Sequence, residues 1–103
     1  MIQDKVLSMI GIATKAGKTL SGEFSTEKAI KTGKAKLVIV AKDASDNTKK
    51  SFMDMCVYRD IPIFFHGNKI LLGQATGNEF RASLAVIDTG LAQSIMKHLN
   101  TTI

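Results

Sequence analysis

The feature that most limits how this chain folds is an unbroken aliphatic run near its middle. The segment from Lys36 to Ala41 continues through Leu, Val, Ile, Val and Ala without a polar interruption. β-branched side chains favour strands, and an apolar run without alternation is typical of a strand covered on both faces. The run is far shorter than the roughly 20 residues that cross a bilayer. We therefore predict a buried strand inside a layered protein and no membrane contact.

Segments with other patterns alternate with this strand along the chain. Val6, Leu7, Ile10 and Ala13 have the spacing of one helical face, which predicts a helix over 4–16. Similar patterns predict helices over 22–32, 46–59, 68–74 and 90–99, and extended segments over 19–21, 62–66 and 83–87. Helices between strands indicate the α/β class. The expected architecture is a three-layer α/β/α sandwich with a small mixed sheet of about four strands.

Length and composition indicate one soluble globular domain over residues 1–103. The chain has 103 residues, of which 45% are hydrophobic and 22% are charged, so it is too apolar for a disordered protein. The single cysteine cannot form an internal disulfide, and Met1–Lys5 lacks the charged-then-apolar order of a signal peptide. We expect a cytoplasmic protein, and a monomer because nothing in the sequence suggests an assembly.

Positive charge is concentrated in the first half of the chain. The net charge is +5, and residues 1–50 contain ten lysines against five acidic residues, whereas the second half is balanced. Such polarity on a small domain attracts polyanions. Lysine binds phosphate as a point charge, whereas bidentate base recognition favours arginine. The alternative is a solvated lysine-rich surface that serves solubility alone.

One segment resembles a nucleotide-binding loop and fails the comparison. Gly11–Thr19 ends in Gly-Lys-Thr, but five residues separate its glycines, and the P-loop has four. A P-loop also follows a buried strand and opens a helix, whereas this segment closes one. A small nucleotide-handling enzyme that uses Gly17-Lys18-Thr19 is therefore a minor alternative, testable by ATP or GTP binding.

Other enzymatic and metal-binding signals are weak. His66 and His98 are 32 positions apart and have no ligand-type spacing with the one cysteine. Cys56 lies among apolar residues of a predicted helix, which favours a buried, inert thiol. Asp43 and Asp88 each follow a strand, where capping of a helix is the simpler role. We expect a protein that is not an enzyme and needs no metal, cofactor or small-molecule substrate.

The start of the second helix is the strongest candidate site. Gly22 lets a ligand approach the backbone, and the first N–H groups of a helix are unpaired donors with partial positive charge. Ser25 adds a hydroxyl, and Lys28 and Lys31 lie one turn apart on the face that also carries Phe24. This combination fits a nucleic-acid backbone with a base stacked nearby.

Two alternatives stay open at this helix. Its inner face is expected to be Thr26, Ala29 and Ile30, and the outer face includes Phe24. That ring either stacks on a base or folds back onto the first helix or the 78–82 loop. The lysines, continued by Lys34 and Lys36, either contact phosphate or are merely solvated.

Several ordered blocks of the sequence resemble one known family. They are Gly22 with Lys28-Ala29-Ile30, Gly33-Lys34-Ala35-Lys36-Leu37-Val38, Ala41-x-Asp43-Ala44, Pro62, Leu72-Gly73-x-Ala75-x-Gly77 and Ala85-Val86-Ile87. From about residue 5 to 97 the chain is similar to the ribosomal protein superfamily of L7Ae and L30e, and to its small bacterial members in particular. The resemblance implies an α/β/α sandwich that binds structured RNA, commonly kink-turns, and association with ribosomal RNA.

The resemblance also assigns roles to particular positions. Gly22 and Lys28 match the glycine and the backbone-contacting lysine of the family, and Lys69 matches a basic residue that opens the short helix. Asn78, Arg81 and Ser83 lie in the loop that shapes RNA preference.

The departure from the family is at Phe24 and Ser25. Kink-turn readers carry asparagine and glutamate at these positions and hydrogen-bond the tandem G·A pairs. Direct readout of those pairs is therefore not expected here, whereas recognition of RNA backbone and shape is.

The sequence thus predicts a non-enzymatic protein that binds structured RNA. The expected RNA contacts are Lys18, Gly22, Phe24, Ser25, Lys28, Lys31, Lys69, Asn78, Arg81 and Ser83. The alternative is a regulatory protein-interaction module in which the same lysines contact an acidic protein partner.

Overall fold

The computed structural model of the protein describes residues 4–100, in which five helices alternate with four strands. In chain order these are α1 Lys5–Lys15, β1 Thr19–Ser21, α2 Glu23–Lys31, β2 Leu37–Val40, α3 Asp46–Tyr58, β3 Ile63–Phe65, α4 Lys69–Ala75, β4 Ser83–Val86 and α5 Thr89–Asn100. Every predicted element is present, and no end differs from the prediction by more than one residue. Part of the Met1–Lys5 segment that bears on export lies outside the described residues.

The four strands form one mixed sheet in the order β1-β4-β2-β3. Strand β2 is parallel to β3 and antiparallel to β4, and β4 is antiparallel to β1. The central strands β2 and β4 are buried at every residue, as the unbroken aliphatic run predicts. Helix α2 packs against α3, and α1 packs against α4 and α5, so helices cover both faces. The predicted α/β/α sandwich with a four-stranded mixed sheet is confirmed.

Short polar side chains begin several helices. At the start of α1, Oδ1 of Asp4 accepts a hydrogen bond from the N–H of Leu7 at 3.1 Å. Asp88 accepts the N–H of Leu91 at 2.9 Å in the first turn of α5, and Asp43 accepts the N–H of Lys69 at 2.9 Å at the start of α4. Asp43 and Asp88 therefore have the capping role predicted for them, since each accepts a hydrogen bond from a helix N–H that has no intrahelical acceptor.

Strand β1 runs from one end of the sheet to the other, so the residues that precede it and those that follow it lie at opposite ends. At one end, the N–H of Gly22 donates to the carbonyl of Ser83 at 2.9 Å. At the other, the N–H of Ile87 donates to the carbonyl of Lys18 at 2.9 Å, and the N–H of Lys36 donates to Val86. We call these the Gly22 end and the Lys18 end, and the candidate site is built at the first.

Candidate nucleic-acid interface

The start of α2 presents open backbone donors. Gly22 has φ 97° and ψ 159°, and no side chain caps the helix. The positive φ, which glycine adopts without strain, turns the chain from β1 directly into the helix. Because the first intrahelical bond runs from the N–H of Thr26 to the carbonyl of Gly22 at 2.9 Å, the N–H groups of residues 23–25 have no acceptor within the helix. They form the positive end of the α2 dipole.

An ordered arginine lies directly beside this helix start. A Cβ atom on Gly22 would come within 3.6 Å of Nε of Arg81. Nε of Arg81 donates to Oγ of Ser21 at 3.2 Å, and Nη2 donates to Oδ1 of Asn78 at 3.0 Å. Nη1 donates to the carbonyl of Phe80 at 3.0 Å. The guanidinium is therefore fixed in orientation and adds a positive charge next to the open N–H groups.

The loop that carries Arg81 is held tightly against α4. The N–H of Asn78 donates to the carbonyl of Gly73 at 2.7 Å, and the N–H of Arg81 donates to the carbonyl of Lys69 at 2.9 Å. A Cβ atom on Gly73 would lie 2.6 Å from the backbone nitrogen of Phe80. The loop reaches this position only because residue 73 has no side chain. The contact also places Lys69 near the site.

Phe24 projects from the site into solvent. Its side chain is 79% exposed, so the alternative in which it folds back onto the first helix or the 78–82 loop is wrong. With Lys28 it forms a ridge between two shallow grooves. The first, of about 280 Å³, lies between α2 and β1 and is lined by Leu20, Phe24, Ser25, Lys28, Ala29, Thr32 and Lys34. The second, of about 250 Å³, is lined by Phe24, Glu27, Lys28 and Lys31.

The two lysines on the outer face of α2 differ in charge environment. Nζ of Lys31 lies 2.6 Å from Oε2 of Glu27, an exposed pair one helical turn apart. Lys28 is exposed and forms no ion pair within residues 4–100. Lys28 is therefore the stronger of the two candidates for contacting an anion.

Two of the predicted contact residues are placed differently from the expectation. Lys18 lies at the Lys18 end of the sheet, opposite the start of α2, because β1 runs from one end to the other. Ser83 is fully buried, and its hydroxyl donates to Oγ1 of Thr26 at 3.3 Å. Its side chain cannot touch a ligand, and its carbonyl instead fixes Gly22.

One exposed residue of the site was not among the predicted contacts. Phe80 is 56% exposed and lies between Asn78 and Arg81, both of which were predicted. The sequence shows an aromatic residue in a polar loop. Its exposure follows from the close approach of that loop to Gly73, which no local pattern reveals.

Other chemistry finds little support in the described part of the chain. The segment with the P-loop resemblance closes α1, with Gly17 at φ 72° and the N–H of Lys18 bonded to Ala13, as predicted. Cys56 is fully buried, and its burial raises the pKa of the thiol to about 11, which makes it a poor nucleophile at neutral pH. Nε2 of His66 lies 2.8 Å from Oδ2 of Asp4.

Residues 4–100 contain no group of three or more His, Cys, Asp and Glu side chains arranged to hold a metal ion. None of the helices there is long and apolar enough to span a membrane.

The sequence profile of the ribosomal protein L7Ae/L30e/S12e/Gadd45 family matches residues 4–96. The chain belongs to the L7Ae/L30e family. Its family resemblance was predicted from the glycine, lysine and aliphatic blocks that surround α2, β2 and α4, and it is confirmed by this match.

Relatives within the L7Ae/L30e family cover almost the whole chain. It is 37% identical over 92 residues to the RNA-binding protein YlxQ of Bacillus subtilis. This alignment covers 89% of this chain and 92% of the relative. It is also 37% identical over 91 residues to the RNA-binding protein YlxQ of Enterococcus faecium, over 88% of this chain and 87% of the relative.

Solved structures of similar proteins show the same fold. A Bacillus halodurans protein of unknown function superposes with a TM-score of 0.91 at 35% identity, covering 95% of this chain and 99% of that one. The 15.5kD RNA binding protein of Giardia lamblia superposes with a TM-score of 0.79 at 20% identity, covering 97% of this chain and 89% of that one.

Proposed function

We propose that this L7Ae/L30e-family protein binds structured RNA at the Gly22 end of its sheet and is not an enzyme. The observation that carries the proposal is the convergence of four features at the start of α2. These are the open N–H groups after Gly22, the unpaired charge of Lys28, the exposed ring of Phe24 and the fixed guanidinium of Arg81. The relatives described as RNA-binding proteins support it.

The site divides into groups that suit phosphate and groups that suit bases. Backbone N–H groups at a helix start and a lysine ammonium both bind phosphate oxygens without reading sequence. Exposed rings of Phe24 and Phe80 offer faces on which unpaired bases stack. Arg81 can contact either, since its guanidinium is planar as well as charged. The site therefore favours RNA in which bases are unpaired beside an ordered backbone.

The finer preference follows from the first turn of α2. Phe24 has no hydrogen-bonding group, and the Ser25 side chain is short, so neither replaces the asparagine and glutamate that read tandem G·A pairs in kink-turn binders. We therefore propose recognition by backbone geometry and stacking, with ribosomal RNA as the expected target. We also propose that the protein acts in the cytoplasm as a monomer.

Lys28→Ala tests the phosphate contacts. We expect the affinity for a kink-turn RNA, a simple hairpin and a bulged hairpin to fall by a similar factor. The salt dependence, the slope of log K against log salt, should decrease in magnitude by about 0.7 to 0.9. Lys97→Ala is the matched control, since Lys97 is an exposed lysine on α5 that, like Lys28, forms no ion pair within residues 4–100. Fluorescence anisotropy at several salt concentrations gives both quantities.

Two results would contradict the proposal. One is RNA binding that does not change with salt, and the other is full affinity in a Lys28→Ala/Lys31→Ala double variant. Co-purification from cells separates the acidic-partner alternative. RNase treatment should strip the bound material from an RNA-binding protein, whereas a complex that survives RNase would favour a protein partner.

A further inference from the structure

A second basic surface lies at the Lys18 end of the sheet. Lys18 and Lys36 lie on either side of the end of β4. The carbonyl of Lys18 accepts a hydrogen bond from the N–H of Ile87 at 2.9 Å, and the N–H of Lys36 donates to the carbonyl of Val86 at 2.8 Å. Neighbouring strands are about 4.8 Å apart, so the two lysine backbones are separated by about 10 Å. Lys34, two residues before Lys36, follows the turn that closes α2. We call Lys18, Lys34 and Lys36 the far-edge cluster, and all three are exposed.

The charge of the far-edge cluster is largely uncompensated. None of its members forms an ion pair within residues 4–100. The nearest acidic residue along β4 is Asp88, whose Oδ2 accepts the N–H of Leu91 at 2.9 Å and so serves α5. The dipole of α2 places a partial negative charge of about half an elementary charge at the C-terminal end of the helix, and the full positive charge of one lysine is enough to balance it. Capping of that helix therefore does not account for three lysines.

A groove connects this cluster with the start of α2. The groove between α2 and β1 is lined by Phe24 and Ser25 at one end, Lys28 midway and Lys34 at the other, with Leu20 beneath. Lys18 directly precedes β1, two residues before Leu20, and so lies beside the Lys34 end of the groove. Lys28 and Lys34 thus lie along the groove, and Lys18 and Lys36 extend the positive charge past its far end.

The length of the groove matches a short stretch of nucleic acid. Helix α2 has nine residues, which at about 1.5 Å each make it about 13 Å long. Stacked nucleotides rise about 3.4 Å each along one strand, so about four of them span this distance.

We infer that an RNA strand bound at the start of α2 continues along this groove, where the far-edge cluster binds its phosphates about four nucleotides further on. This inference rests on the proposed function. An aromatic side chain at the entrance, an apolar floor and a rim of point charges suit stacked bases and a phosphate backbone. An acidic protein segment would use the lysines but would leave the exposed Phe24 ring without a stacking partner.

The test uses two charge-matched triple variants of the full chain. Lys18→Gln/Lys34→Gln/Lys36→Gln removes the cluster, and Lys5→Gln/Lys50→Gln/Lys97→Gln removes three exposed lysines of α1, α3 and α5. Both lower the net charge equally, and circular dichroism verifies their folding. The probes are oligouridines of 12 and 4 nucleotides, measured by anisotropy between 50 and 400 mM salt.

For the 12-mer, we expect the cluster variant to bind about ten-fold or more weakly at 0.1 M salt. The slope of log K against log salt should decrease in magnitude by about 2, since each of the three lost phosphate contacts contributes about 0.7. The control variant should change both much less. The wild-type protein should bind the 12-mer at least about ten-fold more tightly than the 4-mer, and the cluster variant should lose most of that advantage.

Lys28→Ala separates failure of this inference from failure of the proposed function. If the cluster variant behaves like the control while Lys28→Ala weakens binding of the 12-mer, the extended path is wrong and the α2 site stands. If the wild-type protein binds neither oligouridine, the extended path is wrong, and the α2 site is judged by the hairpin and kink-turn RNAs. If neither the cluster variant nor Lys28→Ala weakens binding of any of these RNAs, both proposals are wrong.

Discussion

At the scale of single residues, Phe24 separates binding from stability. Its ring is 79% exposed, so Phe24→Ala should alter the free energy of unfolding by less than about 0.5 kcal/mol. Stacking of a base on an aromatic ring contributes about 1 to 3 kcal/mol. Phe24→Ala should therefore weaken binding of RNA with unpaired bases by roughly five-fold or more and barely affect a fully paired duplex. Anisotropy with the two RNAs and urea unfolding measure these effects.

The matched control for Phe24 is Tyr58. This residue is 82% exposed at the end of α3, with the Arg59 guanidinium 5.2 Å from its ring centre. Tyr58→Ala should leave RNA binding unchanged, and Phe24→Tyr, which keeps an aromatic face, should retain most of the affinity. Equal loss in Phe24→Ala and Tyr58→Ala would show that the ring at position 24 has no special role.

At the scale of elements, the packing of the 78–82 loop on α4 decides the shape of the site. A Cβ atom on Gly73 would lie 2.6 Å from the nitrogen of Phe80 and 2.7 Å from the carbonyl oxygen of Glu79. Both are backbone atoms, so the loop would have to move. We expect Gly73→Ala to destabilise the protein by about 1 to 3 kcal/mol and to reduce RNA affinity, because Arg81 moves with the loop.

Gly11 provides the internal comparison for this prediction. It also lies in a helix, but a Cβ atom there would be 3.7 Å from the nearest atom, the carbonyl oxygen of Ala75. Gly11→Ala should therefore be neutral or stabilising by up to about 1 kcal/mol through helix propensity. Urea unfolding of both variants measures the difference. If Gly73→Ala is as stable as Gly11→Ala, the close contact with Phe80 does not hold the loop.

Helix α2 shows what the sequence predicts well. Its buried face consists of Thr26, Ala29 and Ile30, as expected, because helical periodicity records which side of an element is covered. The central strands β2 and β4 were predicted for a similar reason, since a buried strand is rich in consecutive aliphatic residues. Local patterns of this kind determine the elements and the layers they form.

The arrangement of the site depends on contacts that local patterns do not contain. Lys18 and Gly22 are four residues apart and flank β1. They lie at opposite ends of the sheet because β1 runs along the whole of β4, a strand more than 60 residues later. The family resemblance assigns Ser83 to the RNA-contacting loop, but its hydroxyl is buried against Thr26. The exposure of Phe24 likewise depends on which elements pass above it.

At the scale of the whole molecule, one polar contact joins segments 62 residues apart. The carboxylate of Asp4, at the start of α1, lies 2.8 Å from Nε2 of His66, at the end of β3. Burial alone would raise the pKa of Asp4. Two interactions outweigh this effect of burial and hold the pKa of Asp4 below its usual 3.8. One is the hydrogen bond from the N–H of Leu7, and the other is the hydrogen bond and electrostatic attraction between the carboxylate and His66. The ionised carboxylate is therefore favoured by folding.

This depressed pKa sets the direction of an acid-stability prediction. Because the folded pKa lies below the unfolded one, the ionised carboxylate stabilises the fold above pH 3.8, and this contribution is lost as the pH falls through the folded value. Asp4→Asn keeps a capping oxygen for Leu7 but removes the charge. It should cost less than about 1 kcal/mol at pH 7, since the Asp4 side chain is 38% exposed to solvent.

Between about pH 5 and pH 2, the free energy of unfolding of Asp4→Asn should therefore fall less steeply than that of the wild-type protein. Urea unfolding at successive pH values measures both curves. Asp54→Asn is the comparison, because that carboxylate is 65% exposed and pairs with Lys50 one turn away on the same helix. If Asp4→Asn follows the wild-type curve throughout, the contact between α1 and β3 does not contribute to stability in acid. A flatter curve for Asp4→Asn than for Asp54→Asn would locate that contribution in the long-range pair, because Asp4 contacts a distant segment of the chain whereas Asp54 pairs within its own helix.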